Sequence, residues 1–137
     1  MVTRPPQETV LQSYAITAAV FGFLAVALGA FGAHALKGLL ASYGQGIYQT
    51  AVQYQMFHTL ALGFAAIPPV PLHPRWQRWS CRFLACGILL FSGSLYLLAV
   101  TEIRWLGAIT PLGGVSFLIG WFFLGLAIWR RHERFAL

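Results

Sequence analysis

This chain contains few charged residues. Only 9% of its 137 residues are Asp, Glu, Lys or Arg, against roughly 25% in soluble domains, while 58% are hydrophobic. A soluble fold of this length has too little interior to bury so much apolar surface. The composition therefore excludes an ordinary soluble domain and predicts one integral membrane domain over residues 1–137, with the lipid bilayer as its surroundings.

Acidic residues and cysteines are scarcer still. The acids are Glu8, Glu102 and Glu133, and all three lie near the ends of apolar runs. Proton coupling through a carboxylate at the membrane centre is therefore not expected. The two cysteines, Cys81 and Cys86, match no zinc or redox spacing, and the chain has no nucleotide-binding loop. The sequence accordingly predicts no metal site and no cofactor.

The chain carries a formal net charge of +6, which raises the question of a nucleic acid partner. The basic residues, however, lie in short segments between apolar runs. Segments of that kind lie beside the anionic surface of a membrane. The charge therefore predicts contact with lipid headgroups and no binding to nucleic acid.

Four apolar runs come close to the length of about 20 residues that a membrane-spanning helix needs. They cover residues 14–33, 51–67, 83–101 and 105–129. The first run is longer than the 7–15-residue apolar region typical of a secretory signal peptide, so we interpret it as a membrane helix. The predicted fold class is an all-α membrane protein, a bundle of four transmembrane helices.

The distribution of Lys and Arg predicts how this bundle is oriented, because cytoplasmic segments carry an excess of basic residues. One side holds only Lys37 and Arg104. The other side holds seven arginines: Arg4, Arg75, Arg78, Arg82, Arg130, Arg131 and Arg134. We therefore expect both termini and the 68–82 loop in the cytoplasm.

Polar residues gather in the half of the bundle that is predicted to lie outermost. Tyr54, Gln55 and His58 share one face of the second helix by their i,i+3 and i,i+4 spacing. That face should point into the bundle, because hydrocarbon offers polar groups no partners. The predicted outer polar cluster contains these three residues together with His34, Lys37, Gln53, Glu102, Arg104 and Thr110. Such a cluster either fixes helix register or forms a functional site.

Small residues recur at intervals of four on the first and last predicted helices. Examples are the pairs Ala18 and Gly22, and Ser116 and Gly120. Small side chains let helix backbones approach closely in lipid. The residues predicted to mediate helix packing are Gly22, Gly29, Gly32, Gly114 and Gly120.

Three segments resemble a known family. They are residues 29–37 (GAFGAHALK), the pair Tyr54 and Gln55 with His58, and residues 107–114 (GAITPLGG). This family is catalogued as domain of unknown function 423, and it contains bacterial inner-membrane proteins and the animal transmembrane protein 256. The resemblance covers the chain from about Tyr14 to Trp129. It implies a four-helix integral membrane protein of a bacterial inner membrane and assigns no catalytic residue.

Three functions are compatible with these features. A structural or accessory subunit would pack against other membrane protein subunits or against a second copy of itself. A transporter for protons or small solutes would use an outer-half polar pocket around His58, since histidine titrates near neutral pH. An enzyme or redox carrier would need haem on His34 and His58, a quinone at His58 or Tyr54, or a metal held by His34, His58 and Glu102. The absence of recognisable catalytic motifs favours a non-enzymatic role.

Overall fold

The computed structural model describes residues 6–131, with only the backbone of Pro6 and Gln7. The helices are α1 (Pro6–His34), α2 (Ser42–Ala66), α3 (Pro74–Gly87), α4 (Gly93–Thr101) and α5 (Thr110–Trp129). A π-helical segment, Ile88–Ser92, joins α3 to α4 as one rod, and a 3-10 segment, Arg104–Ala108, precedes α5. The described residues contain no strand. The predicted all-α bundle of four helical rods is confirmed.

Three of the four rods are long and apolar enough to cross a membrane. They cover Glu8–His34, Pro74–Thr101 and Arg104–Trp129. The fourth rod, α2, has 25 residues, which is about 37 Å of helix and more than a hydrocarbon core of about 30 Å. Its glutamines and His58 make it less apolar than the others. Its role as a fourth span stays a prediction.

The central position of α2 explains why it tolerates polar residues. It packs against α1 on one side and against α3, the π segment and α4 on the other. Ala51, Leu62 and Ala65 of α2 are fully buried. By contrast, only 11% of the most apolar 18-residue stretch of α1 is buried. The face of α2 that carries Gln55 and His58 therefore meets protein, whereas most of α1 faces outward.

Three helices begin earlier than the apolar runs that predicted them. α1 begins at Pro6, eight residues before its predicted start, and α2 and α3 begin at Ser42 and Pro74, nine residues before theirs. The added residues of α2 and α3 are mostly polar or basic. Among them Gln and Arg have helix propensities close to that of leucine, so low hydropathy does not prevent helix formation. Pro74 suits the first turn, where the backbone N–H that proline lacks has no helical partner. Hydropathy therefore marked the most apolar segments and not the helix ends.

The two ends of the bundle differ in charge. The start of α3 lies beside the end of α5, where the His73 backbone N–H donates to the Ala127 carbonyl at 3.1 Å. This end, called here the Arg75 end, holds five arginines: Arg75, Arg78, Arg82, Arg130 and Arg131. Lys37 and Arg104 lie at the opposite end, called the Lys37 end. Arg4, Glu133 and Arg134 lie outside the described residues, and the predicted orientation stays a prediction.

The Arg75 end also contains buried polar contacts that the sequence analysis did not find. Gln77 is 5% exposed, and its Nε2 donates to the carbonyl of Ala65 at 2.8 Å. Ser80 Oγ donates to the carbonyl of Gly120 at 2.9 Å. These bonds tie α3 to α2 and to α5. Their physical role is to satisfy side chains that have no water available to them.

Candidate functional site

Gln55 connects three helices in the middle of the bundle. Its side chain is 3% exposed. The Nε2 group donates to the Phe21 carbonyl on α1 at 2.9 Å, and Oε1 accepts a hydrogen bond from the Tyr96 hydroxyl on α4 at 2.8 Å. One amide thus uses both its donor and its acceptor between neighbouring helices, which fixes their relative positions.

Tyr48 extends this arrangement toward the Lys37 end. Its hydroxyl donates to the Leu28 carbonyl at 2.8 Å, and its ring centroid lies 5.0 Å from that of Tyr96 in an edge-on contact. Tyr48 lies two helical turns before Gln55, on the same face of α2. That spacing was available in the sequence, but nothing in the sequence alone identified Tyr96 as the partner. Tyr48, Gln55 and Tyr96 form what we call the α2 network.

His58 lies outside the α2 network, in a stack of aromatic rings. Its ring centroid is 3.5 Å from that of Phe117 on α5 and 5.6 Å from that of Tyr54. Tyr54 in turn stacks on Phe91 at 4.4 Å. The Nδ1 atom lies 2.7 Å from the Tyr54 carbonyl, and a carbonyl can only accept, so Nδ1 carries the proton. His58 therefore fills the contact between α2 and α5.

The remaining members of the predicted outer polar cluster lie in separate places. Lys37 and Gln53 line a cavity of about 510 Å³ between α1 and α2. Glu102 and Arg104 line a second cavity of about 520 Å³ beside the start of α2. Thr110 Oγ1 lies 2.9 Å from Ser94 Oγ.

His34, the last residue of α1, is exposed. Among residues 6–131, no three His, Cys, Asp or Glu side chains come together to hold a metal ion. His34, His58 and Glu102 therefore do not form such a group there. Eight of the nine predicted cluster residues are divided among five environments, which are the two cavities, the α2 network, the aromatic stack and an α4–α5 contact. The ninth, His34, lies at the surface.

The glycines predicted to mediate packing differ in how closely their neighbours approach. A Cβ atom on Gly32 would overlap the Tyr48 ring, and one on Gly120 would lie 2.9 Å from Leu84 Cγ. A Cβ on Gly29 would lie 3.3 Å from Val52 Cγ1. Gly22 and Gly114 have more room, with nearest atoms at 3.6 and 3.9 Å.

Two further glycines are closely approached by neighbouring helices, and the sequence did not predict them. A Cβ on Gly87 would overlap the Phe117 ring, and one on Gly113 would overlap the backbone of Phe91. Neither glycine belongs to a pair of small residues that the analysis singled out. The close approaches therefore lie where α5 meets α3 and the π segment, as well as between α1 and α2.

The α2 network predicts a measurable energetic coupling. In a double-mutant cycle, Gln55→Leu and Tyr96→Phe should couple by about 0.6–1.7 kcal/mol, the range measured for hydrogen bonds between membrane helices. Unfolding in detergent, followed by tryptophan fluorescence, gives the free energies of unfolding of the wild type, the two single variants and the double variant. Pairing Gln55→Leu with Tyr43→Phe, an exposed tyrosine, should give additive effects. Additivity of the Gln55 and Tyr96 changes would mean that their bond contributes nothing to stability.

Comparison with known proteins identifies the family. No solved structure matches the chain. UPF0382 inner membrane protein YgdD of Escherichia coli K12 is 50% identical over 106 residues, which cover 77% of this chain and 81% of that protein. UPF0382 membrane protein YwdK of Bacillus subtilis is 44% identical over 118 residues, 85% of this chain and 96% of that protein. Residues 28–114 match the family described as "Protein of unknown function (DUF423)", and the chain therefore belongs to the DUF423 family of membrane proteins.

Proposed function

We propose that this protein is a structural accessory subunit of the bacterial inner membrane, which binds a transmembrane helix of a larger membrane protein. The observation that carries this proposal is an uncovered ridge on α1. Ala19, Phe23, Ala27 and Phe31 follow one another at i,i+4 spacing, and all four are exposed. We call these four residues the α1 ridge.

The α1 ridge has the shape that helix association in lipid requires. Residues at i,i+4 lie about 6 Å apart on a helix surface, so the two rings stand about 12 Å apart with alanine between and beside them. A neighbouring helix can place side chains over Ala19 and Ala27 and pack against the rings of Phe23 and Phe31. Such contacts provide the dispersion attraction that drives association where lipid tails are as apolar as the side chains.

The glycines of α1 support this assignment because they contact α2 on the side of α1 opposite to the α1 ridge. Gly22 faces Thr59, Gly29 faces Val52 and Gly32 faces Tyr48, and all three partners belong to α2. The close-packing glycines thus hold α1 to its own bundle. The α1 ridge is left to a neighbour, and the inner-membrane names of relatives such as YgdD support the proposed location.

The buried polar residues argue in the same direction. Within the described residues, the buried polar side chains are those of Gln, Ser, Thr and one histidine, His58, with no Asp, Glu, Lys or Arg. A proton-linked transporter would therefore depend on His58, whose ring is stacked and whose Nδ1 is already bonded. The arrangement favours packing over transport.

Isolation in mild detergent tests the proposal. We expect the wild-type chain to migrate on native gels in a species larger than the monomer, with a second membrane protein in stoichiometric amount. Phe23→Ala should remove at least half of that species, because Phe23 is 74% exposed on the α1 ridge and supplies one of its two rings. The matched control is Phe122→Ala on α5, where the ring is 66% exposed, and it should have no effect.

Two results would contradict the proposal. One is a wild-type protein that is monomeric under every mild condition. The other is equal loss of the larger species in Phe23→Ala and Phe122→Ala, which would mean that general apolar surface holds it together. A larger species that contains only this chain would assign the α1 ridge to self-association instead of to an accessory role.

A further inference from the structure

The cavity between α1 and α2 is an open groove with a polar and an apolar part. It has a volume of about 510 Å³, which lies within the roughly 300–1,000 Å³ typical of small-molecule sites. Lys37, Gln49 and Gln53 provide most of its polar groups, and Gly29, Val52 and Met56 line its apolar part. We call this feature the α1–α2 groove.

The polar groups of the α1–α2 groove are available to a ligand. Lys37, Gln49 and Gln53 are exposed, and their side chains make no hydrogen bond or ion pair with any residue from 6 to 131. No acidic residue lines the groove, so the ammonium of Lys37 is uncompensated there. The groove therefore presents one positive charge and the free amides of Gln49 and Gln53. A third amide, that of Gln45, also lines the groove but already donates to the Leu40 carbonyl at 2.9 Å.

If α2 crosses the membrane as predicted, the depth of Gln53 distinguishes these amides from surface groups in water. Counting about 20 residues of hydrocarbon back from the end of α2 at Ala66, the apolar layer begins near Ile47. Gln53 is six residues further along, or about 9 Å inside that layer. An amide in hydrocarbon without a partner is costly. Helical side chains lean toward the N-terminus, so the Gln53 amide leans back toward Gln49 and Lys37.

We propose that the α1–α2 groove binds one glycerophospholipid with an anionic headgroup. Its phosphate pairs with the Lys37 ammonium, and its ester carbonyls accept hydrogen bonds from the NH₂ groups of Gln49 and Gln53. One acyl chain lies along Gly29, Val52 and Met56 toward the bilayer centre. Lys37 lies in the segment before α2, Gln49 and Gln53 follow on α2, and Met56 is the deepest of the lining residues of α2, so phosphate, esters and chain would meet their partners in that order. This inference goes beyond the accessory role, since the α1 ridge shares no residue with the groove.

Native mass spectrometry of the delipidated full-length protein, titrated with phosphatidylglycerol or phosphatidylcholine in detergent, tests the proposal. We expect tighter binding of one phosphatidylglycerol, because the choline cation offsets the phosphate charge. Lys37→Gln should weaken phosphatidylglycerol binding about fivefold, the effect of one basic residue near anionic lipid. The matched control is Arg104→Gln, which removes one positive charge at the same end but lies in the other cavity, and it should change nothing.

The amides and the headgroup are tested separately. Gln53→Leu should weaken both lipids, because both carry the same esters, and Gln49→Ala serves if Gln53→Leu does not fold. Inorganic phosphate at millimolar concentration should not displace the lipid. The proposal is overturned by equal binding of the two lipids to the wild-type protein, by equal effects of Lys37→Gln and Arg104→Gln, or by displacement with phosphate. Thermal unfolding of each variant in lipid-free detergent establishes that it is folded.

Discussion

Gly120→Leu is expected to lower the free energy of unfolding by about 3 kcal/mol or more, the upper end of the range for overpacked cores. A Cβ at this position would already lie 2.9 Å from Leu84 Cγ and 3.1 Å from the Leu84 backbone nitrogen. Three further carbons have no space there unless α5 moves away from α3. That movement would also break the bond from Ser80 Oγ to the Gly120 carbonyl.

The matched control lies on the same helix. Gly125 is exposed, and a Cβ there would meet no atom within 4 Å. Gly125→Leu should therefore leave stability unchanged or raise it slightly, because leucine has the higher helix propensity. Unfolding of both variants in detergent, followed by tryptophan fluorescence, measures the difference. Equal stability of the two variants would refute the close contact between α3 and α5.

Gly113→Ala is expected to cost about 2 kcal/mol, whereas the same change at the next residue should cost nothing. A Cβ on Gly113 would overlap the Phe91 backbone nitrogen and lie 2.7 Å from its Cα. A backbone cannot rotate away as a side chain can, so the π segment or α5 has to shift. A Cβ on Gly114 would lie 3.9 Å from the Phe91 ring, which is an ordinary van der Waals contact.

The comparison of these two neighbours is sharp because both substitutions add one methyl group to the same helix. Chemical unfolding of Gly113→Ala and Gly114→Ala in one detergent provides the measurement. Alanine should raise stability at Gly114 by up to about 1 kcal/mol through helix propensity. A loss at Gly114 that equals or exceeds the loss at Gly113 would mean that the helix is rotated relative to the structure described here.

Several properties of this protein follow from its sequence alone. The low content of charge and the four apolar runs predict a helical membrane protein. This prediction needs no knowledge of helix contacts, because insertion into lipid depends on the free energy of transferring each side chain from water. The motifs at residues 29–37 and 107–114 point to the DUF423 family without any knowledge of helix contacts. The face shared by Gln55 and His58 also followed from helical spacing alone.

Contacts between helices were decided only by the tertiary structure. Gln55 and His58 share a face, yet Gln55 binds Phe21 and Tyr96, whereas His58 stacks on Phe117. The rotation and depth of the neighbouring helices decide which partner each side chain meets, and a periodic pattern contains neither. The predicted cluster is therefore divided among the α2 network, the aromatic stack, two cavities and the α4–α5 contact of Thr110, with His34 at the surface.

The glycines show the same division between local and tertiary information. Spacing of small residues selected Gly114, but the close approach occurs at Gly113. The π-helical segment Ile88–Ser92 contains Phe91, whose backbone lies against α5. No residue type in that segment predicts a change from α-helix to π-helix. The sequence by itself indicates that the glycine-rich first and last helices can approach their neighbours closely in lipid. Which glycine meets a backbone was decided by the helix rotation, because a shift of one residue turns a helix by about 100°.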